Sequence, residues 1–149
     1  MSFDLRELYQ EIILDHYRHP RNQREPERAT AHSEGHNPLC GDKITVSVRT
    51  ENGQLAEVGY HASGCAISVA SASLMSEAVK GKPLGEVERL CKEFQGAVTS
   101  PDGGEFPEMG DLNALAGVRE HPVRIKCATL PWHALRAALS GVDKMVTTE

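Results

Sequence analysis

Apolar positions recur along this chain with two distinct periods, and the change of period predicts the order of its elements. Leu5, Leu8, Tyr9, Ile12, Ile13 and Tyr17 fall at helical spacing, with Asp4, Arg6, Glu7 and Glu11 on the other side. This predicts an amphipathic helix over residues 3–17, ended near His19-Pro20. Residues 21–37 are polar and read as a long connection with a short strand near its end. Ile44, Val46 and Val48 then alternate with Lys43, Thr45, Ser47 and Arg49, the period-two pattern of a half-buried strand. Glu51-Asn52-Gly53 is a hairpin signal, and residues 55–61 read as the returning strand with Ala56, Val58 and Tyr60 on one face.

From Cys65 the period becomes helical again. Ser63-Gly64 breaks the strand, and an Ala- and Ser-rich helix runs to Lys80, with Ile67, Ser71, Leu74 and Ala78 on a closely packing face. Gly81 stops it, and Pro83 opens a helix over 83–95. Gly96 to Gly110 reads as an exposed loop, and Asp111 as the cap of a short helix over residues 112–116. Pro122 marks a break before Val123, Ile125 and Cys127. A last helix over about 129–140 carries Leu130, Trp132, Leu135 and Leu139, with Gly141 as its stop. Strands grouped together and helices after them predict an α+β fold, with a small antiparallel sheet covered by helices in two layers. The expected organisation is one domain over residues 1–149, with the cysteine loops gathered at one end.

Composition narrows the function. The chain has 149 residues, 40% of them hydrophobic and 25% charged, and its net charge of −5 argues against nonspecific binding to nucleic acid. No apolar run reaches the length of a membrane span, and the early acidic residues do not resemble a secretory signal or transit peptide. The expected setting is the cytoplasm, where thiols stay reduced and four cysteines suggest metal or sulfur chemistry before disulfides.

Three cysteines sit near predicted element boundaries: Cys40 in Asn37-Pro38-Leu39-Cys40-Gly41-Asp42, Cys65 after Gly64, and Cys127 in Arg124-Ile125-Lys126-Cys127-Ala128. With Asp42 they supply three soft thiolates and one carboxylate, a plausible four-coordinate set for zinc or iron. The separations of 25 and 62 residues are too wide to be diagnostic, so spacing alone leaves open a metal site or scattered structural cysteines. A helix starting at Cys65 favours its thiolate, and Arg124 and Lys126 are placed to do the same for Cys127. Cys91, inside an amphipathic helix, reads as an ordinary packed cysteine. His16 and His19 flank a helix end and read as dipole partners or surface groups rather than ligands. His32, His36, His61, His121 and His133 read as surface or outlying groups; His36 and His61 each lie four residues before a site cysteine.

The three cysteine segments, together with Leu8-Tyr9, His19-Pro20-Arg21-Asn22 and the Trp132 helix, resemble the signature segments of the U-type iron–sulfur scaffold family. The resemblance implies an α+β fold in which Cys40, Cys65 and Cys127 bind a metal or cluster, with Asp42 beside them. The cluster-building branch typically carries a His just before the third cysteine, where this chain has Lys126. This chain also has an extra stretch of about residues 97–111. Both features are similar to the zinc-containing SUF-system branch. That likeness implies Zn2+ on Cys40, Asp42, Cys65 and Cys127, with Cys40 receiving persulfide sulfur from a pyridoxal-phosphate cysteine desulfurase. Sulfur would pass on to downstream SUF cluster-assembly proteins. The alternative is a scaffold that builds and hands on a [2Fe–2S] cluster with the same ligands. Pro131 stands near the expected start of the last helix, where a first-turn proline is harmless.

Overall fold

In the computed structural model, which describes residues 5–99, 107–140 and 146–147, the sheet forms one layer and the helices the other. The order is α1 (Leu5–Arg18), β1 (Ala31–Asn37), β2 (Asp42–Glu51), β3 (Gln54–Ser63), α2 (Ala66–Val79), α3 (Leu84–Thr99), a 3-10 segment (Pro107–Glu120), α4 (Pro122–Ser140) and β4 (Val146–Thr147). Strands β1, β2 and β3 form an antiparallel meander, and the two-residue β4 adds in parallel to β1, giving the order β3-β2-β1-β4. This is the expected α+β arrangement.

The period-two reading of β2 holds: Ile44, Val46 and Val48 are buried on the face that meets the helices. The turn to β3 has both Asn52 (φ 53°) and Gly53 (φ 76°) at positive φ, which suits the right-handed twist of a tight hairpin. On β3 the expected face is corrected. Arg49 pairs with Glu57 and Thr50 with Leu55, so Ala56 is a bulge residue. The extra residue shifts the phase, burying Leu55 fully and leaving Ala56 half-buried, while Val58 and Tyr60 stay inward.

α2 is more central than a one-faced helix. Every residue from Ser68 to Met75 is buried, and Ser76 as well, because α1, α4 and the sheet enclose it. Its buried serines are tolerated where neighbours satisfy them: Ser71 Oγ donates to the Ala128 carbonyl and accepts from Trp132 Nε1 at 3.2 Å. Trp132 also stacks on Phe94, ring centroids 4.5 Å apart, which ties α3 to α4.

The helical second half departs from the sequence reading in three places. α3 runs on through Gly96 to Thr99 instead of ending near 95, and positions 100–106 of the expected loop lie outside the described residues, as does Gly141. Asp111 does follow a break, since Gly110 has φ 54° and ψ −125°, but the turns after it are 3-10 and reach Glu120. α4 begins at Pro122, not near 129, so Cys127 lies within a helix rather than at a boundary. Pro131 is consequently inside α4 instead of in its first turn. Having no N–H, it cannot bond the Cys127 carbonyl one turn back, and the Ser71 hydroxyl holds the adjacent Ala128 carbonyl.

His16 is a correction too. It is 7% exposed, and its Nδ1 lies 2.7 Å from Ser73 Oγ, which also accepts from the Arg21 N–H at 3.0 Å. Burial, then the Arg21 charge, lowers its pKa below the ordinary imidazole value of 6.5, although Asp15, Asp111 and Glu77 oppose this. The unfolded chain therefore takes up a proton more readily than the folded one, so stability is full above about pH 6.5 and is lost as pH falls through that value. Comparing wild type with His16→Gln, the two should run parallel above about pH 6.5, and the wild-type Tm should drop more steeply as pH falls below it, the free imidazole pKa. Equal slopes would show that His16 does not carry this dependence.

Candidate metal centre

The site forms where the end of the β1–β2 hairpin meets the starts of α2 and α4. Asn37 and Asp42 are the last pair of the β1–β2 ladder, and Pro38 to Gly41 form the turn beyond them. Gly41 takes φ 70°, which closes that turn and puts the half-buried Cys40 at its tip. Asp42 and Asn37 both point to the helix side of the sheet and are fully buried. The same alternation puts His36 and His61 on the opposite face, so their nearness in sequence to Cys40 and Cys65 does not bring them to the site.

Cys65 is the N-cap of α2, as expected from Gly64-Cys65, and its sulfur accepts from the Ser68 N–H at 3.4 Å. Cys127 is fully buried on α4. The Asp42 carboxylate joins these elements. Its Oδ1 accepts the Cys65 N–H at 2.7 Å, and its Oδ2 lies 3.7 Å from the Cys65 thiol. The Cys127 thiol donates to Cys40 Sγ at 3.3 Å. Ligand atoms of Cys40, Asp42 and Cys127 all lie within 4.8 Å of one another; Cys65 stands at the edge of that set, tied in through Asp42.

A tetrahedral thiophilic ion fits this donor set. Bonds of about 2.3 Å to sulfur place neighbouring ligands roughly 3.8 Å apart, so the distances of 3.3 and 3.7 Å need only small adjustment. Burial, followed by hydrogen bonds with Cys40, Asp42 and Cys65, pushes the Cys127 thiol far above its usual range. Left alone it keeps its proton, whereas a coordinating cation ionises such a thiol outright. Arg124, at the site's rim, is held protonated above the ordinary arginine value, first by the charge of Cys65 and then by a hydrogen bond to Cys127. One guanidinium there offsets part of the excess negative charge that three thiolates and a carboxylate leave on a divalent ion. Cys91 is the counterexample. It is 2% exposed in the α3 core, its pKa pushed up to about 12 by burial, and it is chemically quiet at neutral pH.

The structure therefore gathers three of the four residues singled out by sequence and sets the fourth, Cys65, against Asp42. Sequence reasoning gave Asn37 no separate role, and gave Gly64 only that of a strand breaker. Both were inside the cysteine segments, but their effect depends on register and backbone angle, which spacing does not reveal.

A meander backed by helices, with thiols and a carboxylate converging at one end, defines a small metal- or cluster-handling domain. The chain belongs to the NifU-like N terminal domain family, whose profile matches residues 8–147. It is similar to a Bacillus subtilis protein named zinc-dependent sulfurtransferase SufU, 36% identical over 142 residues, covering 94% of this chain and 96% of that one. It is also similar to the iron-sulfur cluster assembly scaffold protein IscU of Streptococcus pyogenes, 35% identical over 135 residues, with 91% and 84% covered. Among solved structures, it superposes on a putative SUF-system scaffold protein from Fervidobacterium islandicum with a TM-score of 0.81, at 29% identity, covering 91% of this chain and 99% of that one. Among the described residues no helix is long and apolar enough to cross a membrane.

Proposed function

We propose that this protein serves iron–sulfur cluster assembly as a zinc-dependent sulfurtransferase, with Zn2+ on Cys40, Asp42, Cys65 and Cys127 and Cys40 as the persulfide acceptor. The observation that carries the reading is the unequal mounting of the thiols. Cys40 is half-exposed on a hairpin tip, whereas Cys127 is sealed inside α4 and Cys65, also half-exposed, is fixed as the cap of α2. The metal would supply ionised thiolates at neutral pH and a defined shape to the three segments. The Cys40 thiolate attacks the outer sulfur of the partner's persulfide. A new S–S bond forms on Cys40, the partner's S–S bond breaks, and its electron pair leaves on the partner's cysteine thiolate, with no net oxidation. The donor this chemistry requires is a persulfide-bearing partner, which on this reading is a pyridoxal-phosphate cysteine desulfurase of the SUF type in the cytoplasm, with cluster-assembly proteins downstream.

A second reading, a scaffold carrying a [2Fe–2S] cluster on the same residues, is favoured by the names of the IscU relatives. Lys126 in place of a histidine counts against it, because an ammonium is not a cluster ligand. One experiment separates the two: incubation with a desulfurase and sulfur-35 cysteine, then mass mapping of the modified cysteine, beside anaerobic reconstitution with iron and sulfide. Label on Cys40 and no stable visible chromophore is the expected pair of results. A stable, transferable cluster with no label on Cys40 would overturn the proposal in favour of the scaffold.

A further inference from the structure

Asn37 holds three parts of the centre at once. Its side-chain oxygen accepts the Leu39 N–H at 3.2 Å, inside the turn that carries Cys40. Its amide nitrogen faces Cys127 Sγ at 3.5 Å and, more loosely, Asp42 Oδ2 at 3.5 Å. These partners settle the orientation of the amide, since a flipped group would turn oxygen toward the carboxylate and NH2 toward the Leu39 N–H. The residue is fully buried and locked in the β1–β2 ladder opposite Asp42, so neither hydrogen has water to turn to.

Donors are unequally shared among the four site residues. Asp42 receives the Cys65 N–H and the Asn37 amide, Cys65 receives the Ser68 N–H, and Cys127 receives the buried Asn37 amide and, from the rim, Arg124. Among the described residues, the one hydrogen bond of the Cys40 sulfur comes from the Cys127 thiol. An N–H donor withdraws electron density from a thiolate and fixes its direction, as partners around metal ligands generally do.

We infer that Asn37 is a positioning residue whose two amide hydrogens make Asp42 and Cys127 the fixed half of the centre, leaving Cys40 as the ligand free to depart. This rests on the metal-binding part of the reading above and adds what keeps the ion in place when Cys40 is engaged elsewhere. Asn37 acts on Asp42 and Cys127 directly, not through the Cys40 turn. Its two functions can be separated: a serine at this position can still accept the Leu39 N–H in a similar turn, but is one bond too short to reach Cys127.

The test is zinc affinity by chelator competition for wild type, Asn37→Ser, Cys40→Ala and the double variant, with circular dichroism to check folding. Asn37→Ser should weaken zinc binding by about 10–100-fold, the usual loss when a partner of a metal ligand is removed. The same factor should recur in the Cys40→Ala background, because additive effects mean independent action. Wild-type affinity in folded Asn37→Ser, or an effect that vanishes without Cys40, would overturn the inference and reduce Asn37 to a turn former. Should Asn37→Ser fail to fold, the wild-type protein decides alone. Loaded with cadmium-113 and labelled with nitrogen-15, it should show scalar coupling from the metal through Cys127 Sγ to an Asn37 amide hydrogen; absence of that coupling overturns the inference equally. Neither measurement uses a desulfurase, so a Cys40 that accepts no sulfur would sink the proposed function and leave these results untouched.

Discussion

Replacing Cys40 with Ala yields a folded protein that retains part of its metal affinity and takes up no sulfur. The side chain stands on a turn, half in solvent, so its loss opens no core cavity, and the intrinsic stability change should stay within about 0.5 kcal/mol. What shapes the turn survives: the Asn37–Asp42 ladder pair, the positive φ of Gly41 and the Leu39 N–H to Asn37 hydrogen bond. Asp42, Cys65 and Cys127 remain as candidate ligands. Chemistry is another matter: Cys127 is completely buried, and Cys65, half-exposed like Cys40, is fixed as the cap of α2 rather than carried on a turn, so on the proposed function neither takes over as acceptor. Transfer of sulfur-35 and stimulation of a desulfurase should both fall to background, a loss of about a hundredfold or more for removal of a nucleophile. Cys91→Ala is the control: it removes a core thiol and costs stability, yet transfer should be unaffected. Full stimulation by Cys40→Ala would sink the acceptor role.

How much of this was legible in the sequence depended on how local the cause was. β2 and the hairpin after it could be read directly, because Ile44, Val46 and Val48 alternate and Asn52-Gly53 can adopt the positive φ the turn needs. The helix beginning at Cys65 was equally plain after Ser63-Gly64. The bulge at Ala56 was not, since it arises from pairing with Arg49 and Thr50 on another strand. The start of α4 was misplaced because Pro122 and Pro131 both act as helix-start signals, and tertiary packing chose the first. Pro131 survives inside α4 because the helix is buried there and Ser71 holds the neighbouring carbonyl. The pattern of α2 predicts packing on one face, with Ile67, Ser71, Leu74 and Ala78; that its other serines are buried too follows from bonds to distant residues, with His16 and Arg21 on Ser73, Asn22 on Ser76, and Trp132 and Ala128 on Ser71. For the site, residue types and the family resemblance gave the candidate ligands. How differently the three thiols are mounted emerged only from the hairpin, the helix cap and the α4 interior that carry them.

At the metal centre, the most damaging single methyl group should be the one added by Gly64→Ala. Gly64 has φ 139°, a conformation L-residues rarely adopt, and holding alanine there costs about 1–3 kcal/mol. The added Cβ would also collide with Asp42 Oδ1 while coming within 2.8 Å of Asp42 Cα and 2.9 Å of its Cγ. Asp42 cannot give way cheaply, being fully buried and paired with Asn37 at the ladder end. Moving its carboxylate breaks the 2.7 Å bond from the Cys65 N–H, a charge-assisted contact worth about 1.5–3 kcal/mol. The two losses share a cause and together predict destabilisation of roughly 3 kcal/mol or more. Zinc affinity should fall at least about tenfold, because the displaced group is itself a candidate ligand. Gly41→Ala separates strain from collision: its φ is 70°, but a Cβ there meets nothing within 4 Å, so it should cost about 1 kcal/mol and leave Asp42 in place. Urea denaturation and chelator competition on both variants check this. If Gly64→Ala matches Gly41→Ala in both measurements, the close approach of Gly64 to Asp42 is not what shapes the site, and Cys65 must be positioned by α2 alone.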